Sequence, residues 1–128
     1  MTYYFNKVVP LSFDETVEKT VDALKQEGFG IITQIDVRDT FKKKINVDFR
    51  NYRILGACNP TLAHEALQLE DKVGTMLPCN VIVQDAGAGG TEVAAIDPVA
   101  SMSAIDNPRL KQAAQRVQAK LKKAIESL

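Results

Sequence analysis

The chain has 128 residues, 45% of them hydrophobic, with Lys plus Arg and Asp plus Glu balanced at 16 each. That length is the size of one domain and can bury roughly two-thirds of its unfolded surface, and the hydrophobic content excludes a disordered composition, so a single domain over residues 1–128 is expected. The balanced charge removes the long-range basic field on which nucleic-acid binders rely, and no apolar run approaches the ~20 residues of a membrane-spanning helix.

Met1 to Lys7 lacks the basic start and apolar centre of a signal peptide, so a cytoplasmic location is expected, with Cys58 and Cys79 held as thiols. Thr2 to Val9 reads as a first strand, stopped by Pro10. Ser12 with Glu15 forms a capping-box pattern, and Phe13, Val17, Val21 and Leu24 then recur at helical spacing. Gly28 falls where a left-handed helix end belongs. A second strand follows from Phe29 to Ile35. Asp36 then caps a short helix carrying Val37, Phe41 and Ile45, and Lys42 to Lys44 read as its solvated end.

Tyr52 to Cys58 is the third strand, and Asn59-Pro60 supplies the N-cap and first position of a helix whose apolar face is Leu62, Ala63, Ala66 and Leu67. Met76 to Gln84 reads as a fourth strand, with Pro78 implying an edge or a bulge. Gly87 to Gly90 turns the chain into a fifth strand, Glu92 to Ile96. Asp97-Pro98 opens a turn that includes Met102. Asn107-Pro108 starts the last helix, striped by Leu110, Ala114, Val117, Leu121, Ala124 and Leu128. The expected fold is α+β: one two-layer domain, with a largely antiparallel sheet of about five strands and helices mainly on one face.

The two Cys-Asn pairs, Cys58-Asn59 and Pro78-Cys79-Asn80, are the most unusual feature. A cysteine at the junction of a strand and a helix N-cap meets free N–H groups that favour a thiolate, and pairing of the two strands brings Cys79 near it. Three chemistries fit these residue types: a reversible disulfide, a Cys58 nucleophile with His64 as base, and a soft-metal site. Each lacks a part. There is no C-x-x-C spacing, no group to orient His64, and no close pair of metal ligands. Inert packing of both cysteines and an exposed His64 are the plainer alternatives. The glycines match neither a phosphate-binding loop nor a dinucleotide fingerprint, and Asp36, Asp85 and Asp97 read as capping and turn residues.

Ile54-Leu55-Gly56-Ala57-Cys58-Asn59-Pro60 with Ala63, Ala66 and Leu67, and Leu77-Pro78-Cys79-Asn80-Val81-Ile82-Val83, resemble the two central signatures of the domain of unknown function 302 family. Gly28-Phe29-Gly30 leading to Ile35-Asp36-Val37, with Thr40, Lys42 and Lys44, resembles its N-terminal signature. Asp97-Pro98 with Met102 resembles its C-terminal one. The resemblance implies a small α+β fold and a homodimer, brings no agreed activity or cofactor, and makes Cys58, Asn59, Pro60, Pro78, Cys79 and Asn80 the candidate site. His64 has no counterpart in that pattern. Two functions are expected from these readings. The first is a non-catalytic small-ligand or partner-binding domain, with a pocket beside the segment starting at Asn59 whose N–H groups hold an anion. The second is thiol-dependent redox or sulfur chemistry at Cys58 and Cys79.

Overall fold

The computed structural model describes residues 2–128; Met1, counted in the expected 1–128 domain, lies outside the described residues. Five strands form: β1 (Tyr4–Val9), β2 (Gly30–Asp36), β3 (Tyr52–Cys58), β4 (Cys79–Asp85) and β5 (Thr91–Ile96). The helices are α1 (Phe13–Gln26), α2 (Val37–Ile45), α3 (Pro60–Leu69), α4 (Pro98–Ser101) and α5 (Pro108–Glu126). The strands pair in the order β1-β5-β4-β3-β2, antiparallel throughout, which is the α+β architecture that the sequence predicts.

Side chains alternate between the two faces of each strand. In β4, Cys79, Val81 and Val83 are buried, whereas Ile82 and Gln84 are half-buried and Asn80 is exposed on the other face. Thr91, Val93 and Ala95 of β5 repeat this pattern. The buried face packs on Val17 and Leu24 of α1 and on Leu121, Ala124 and Ile125 of α5, forming the main core. A second cluster, Ala66, Val73, Met102, Leu110 and Ala114, lies where α3, α4 and α5 meet beyond the sheet. Helix α2 stands against the opposite face, over β2 and β3, where the Phe41 and Phe49 rings meet at 5.1 Å.

Local chemistry sets the helix ends. Ser12 Oγ accepts from the Glu15 N–H at 3.2 Å, but the Glu15 carboxylate accepts from the Ser12 hydroxyl at 2.9 Å rather than from a backbone N–H. At the other end of α1, Gly28 adopts φ +88°, and Phe29 N–H donates to Leu24 O at 2.9 Å, closing a Schellman motif. Asp36, Asn59, Asp97 and Asn107 cap α2, α3, α4 and α5 through their side chains. Lys42 and Lys43 pair with Asp48 and Asp39 at the surface.

The fourth strand departs from expectation. It begins at Cys79 rather than Met76, because residues Asp71–Met76 form a 3₁₀ helix. Nor is it an edge or bulged at Pro78: β4 is the central strand. Pro78 stands just before the ladder, after a cis Leu77-Pro78 bond, so its missing N–H removes no sheet hydrogen bond. The bulge lies instead in β2, between Ile31 and Thr33.

Candidate functional site

The antiparallel pairing of β3 with β4 brings the two Cys-Asn segments together, setting Ala57 opposite Cys79 and Gly56 opposite Asn80. The end of β3 then runs directly into α3. Asn59 Oδ1 accepts from the Leu62 N–H at 3.2 Å, and Pro60 occupies the first helical turn. Two glycines make this junction possible. A Cβ on Gly28 would come within 2.9 Å of Asn59 Nδ2. One on Gly56 would sit 2.1 Å from Thr33 Oγ1 and 2.8 Å from Pro78 Cγ.

Below this junction lies a cavity of about 280 Å³, enclosed by the end of β3, the start of β4, α3, α4 and α5. Of the six candidate residues, Cys58, Asn59, Pro78 and Cys79 line it. The other two do not. Pro60 is exposed at the start of α3, and Asn80 faces out from the opposite side of the sheet beside Tyr52 and Ile82. His64 is also exposed, with its Nε2 atom 3.1 Å from that of Gln68, and is not part of the lining. The structure therefore gives Cys58 no histidine base, and among the described residues no three His, Cys, Asp or Glu side chains gather for a metal ion.

The thiols differ in setting. Cys79 is buried and Cys58 half-buried, and both are free. Burial pushes the Cys79 thiol up to about 11, with a smaller upward push from neighbouring Cys58. This is the opposite of an activated cysteine. Strand alternation also starts the two side chains from opposite faces of the sheet, because Cys79 pairs with Ala57 and Cys58 follows it.

Sequence reasoning missed much of the wall. Ile32, Leu77, Leu110, Ala113 and Val117 line the cavity, yet none belongs to a motif-like cluster of polar residues. The outer wall is fixed by polar ties: Asp97 Oδ1 accepts from Gln118 Nε2 at 3.0 Å, and Asn107 Nδ2 donates to Leu69 O at 2.9 Å. Arg116 and Glu65 form an ion pair across α5 and α3.

The family model described as "Domain of unknown function DUF302" matches residues 5–128. The chain belongs to this family. The crystal structure of the uncharacterized conserved protein DUF302 from Bacillus stearothermophilus is similar throughout, at 29% identity with a TM-score of 0.91, covering 98% of each chain. None of the curated proteins matches the chain. The residues that carry the resemblance to the DUF302 family converge in space. Phe29 from the N-terminal signature, Ala57 to Asn59 and Pro78-Cys79 from the central ones, and Pro98 with Met102 from the last all border the same cavity.

Proposed function

We propose that this chain is a non-catalytic, homodimeric binding module that takes a small molecule into the cavity between β3, β4, α3 and α5. The observation that carries the reading is the cavity itself. It holds about 280 Å³, it is bordered by residues from all four signature segments, and its lining carries no Lys, Arg, His, Asp or Glu. Sites for small ligands have this form, mostly apolar walls with few polar groups. The free thiols accord with residence in the reducing cytoplasm.

The homodimer draws support from the face of the sheet left largely uncovered by helices. It carries Tyr4, Ile35, Ile54, Ile82 and Ile96, of which Tyr4 and Ile35 are exposed and the other three half-buried. Thermal melts with separate panels of anions, nucleotides, thiol metabolites and apolar compounds test the ligand reading. A binder raises the melting temperature with concentration. If no panel moves it, the binding reading fails.

Thiol chemistry is the second reading, favoured by one observation: both cysteines border one cavity. In that reading Cys58, the more accessible thiol, reacts first.

A further inference from the structure

Where the helices meet, the wall of the cavity carries four alanines among its larger aliphatic side chains. Ala63 and Ala66 of α3 and Ala113 and Ala114 of α5 all line it. Protein interiors close such junctions with larger aliphatic groups and leave few voids wider than a water molecule. Here about 280 Å³ stays open. An apolar cavity of about 150 Å³ already holds benzene in preference to water.

The mouth is apolar as well. Ile32 and Leu67 both border the cavity while remaining 61% and 42% exposed. Leu67 belongs to the face of α3 that sequence periodicity assigns to the core. Ile32 is the extra residue of the β2 bulge, and its neighbours Ile31 and Thr33 stay paired with Ala57 and Gly56. A bulge re-aims one side chain without disturbing the ladder, and strands carry such bulges next to sites. Two aliphatic side chains are thus held in water around an apolar opening, an arrangement that costs free energy until something covers them.

No Lys, Arg, His, Asp or Glu lines the cavity. Burying an ion there is unfavourable, because the lining offers it no countercharge. The polar side chain is that of Asn59, whose Oδ1 is committed to the Leu62 N–H. Its amide nitrogen, with two N–H groups, remains to donate to a single oxygen-bearing group of a ligand.

Resting on the ligand-site reading above, we infer that the cavity takes an uncharged, predominantly apolar molecule with at most one oxygen acceptor, the oxygen meeting Asn59 Nδ2 at the rim. At ~30 Å³ per non-hydrogen atom the space holds about nine such atoms. An anion at the α3 N-terminus is not the ligand in this proposal.

Calorimetric titration of the full chain with 1-octanol, octanoate and inorganic phosphate separates the possibilities, because the first two share a chain length and differ in charge. The expected result is octanol binding at least tenfold tighter than octanoate, with no heat from phosphate. Ala113→Leu fills the wall and abolishes octanol binding. Ala63→Leu, at a half-buried helix position that accepts a larger side chain, weakens it at least tenfold and serves if the first variant does not fold. Octanoate binding as tightly as octanol, or octanol affinity unchanged in Ala63→Leu, overturns the inference. Phosphate or octanoate binding without octanol sinks the ligand class alone and leaves the cavity as a ligand site. No binding by any of the three overturns the inference, while the thermal-melt panels decide the ligand-site reading separately.

Discussion

Cys79 and Gly56 show how single atoms bound what this region can do. The Cys79 thiol has an ordinary value of 9.0 and is pushed up to about 11 in the fold, mainly by burial. The unfolded chain therefore ionises first as pH rises. The stability that Cys79 contributes is fully present below about pH 9 and is lost as pH climbs through about 11, a fall on the order of 2 kcal/mol. Urea melts at either end of that window should show the fall, and Cys79→Ala should flatten this part of the profile. In the native protein Cys58 should alkylate first, with Cys79 reacting only on unfolding; rapid native modification of Cys79 would contradict its burial. Gly56 is constrained by contact rather than by backbone angle, since a Cβ there meets Thr33 and the rigid Pro78 ring. Gly56→Ala should cost about 1–3 kcal/mol in denaturant melts. An unchanged midpoint would mean that the Thr33–Pro78 contact yields freely. The resemblance to the DUF302 family marked Gly56 as part of a signature, but the two atoms that exclude a side chain come from β2 and from the approach to β4.

The two asparagine caps, at α3 and α5, look alike in sequence and differ in what they hold. Asn59 uses its side-chain oxygen on the Leu62 N–H, so Asn59→Asp should preserve the cap and change stability little, whereas Asn59→Ala should cost about 1 kcal/mol. Asn107 caps α5 with its oxygen and also donates its amide to Leu69 O, 38 residues earlier in the chain. Asn107→Asp should keep the helix start and lose about 1 kcal/mol through that carbonyl. Comparing the two aspartate variants by thermal melts checks the distinction; equal effects would deny the tie to Leu69. Helix starts were legible because a cap and its target N–H lie within three residues. The start of β4 was not, because Met76 and Leu77 suit a strand as well as the 3₁₀ turn that packing imposes on them. The β2 bulge was equally hidden: Ile31, Ile32 and Thr33 read as an unbroken strand, and the misstep appears only against Ala57 and Gly56.

At the scale of the molecule, a sheet covered by α1 and α5 on one face leaves much of the other to be explained. Ile82 sits on the open face of the central strand and outside both buried clusters. If two copies meet through this face, Ile82→Asp should give a monomer at concentrations where the unaltered chain sediments as a dimer, with little change in the melting of the fold itself. Dimers of the variant would place the interface elsewhere, and a monomeric unaltered chain would remove the homodimer. The core carries a different expectation. Leu55 is fully buried in the main cluster, and truncation there belongs with the costliest substitutions in the chain.

Periodicity, caps and turn residues determined five strands, the main helices and the α+β class, because each depends on neighbours a few residues away. Nearness of Cys58 and Cys79 was expected only if their strands paired, and that pairing of β3 with β4 is a tertiary fact. Tertiary structure alone decided that Asn80 and His64 stand apart from that junction, that β4 is central, and that a cavity opens between α3 and α5. The reason is physical: a void is made by the distance between helices that meet across the fold, and alanine on a helix reads the same in sequence whether it closes a contact or leaves room for a guest.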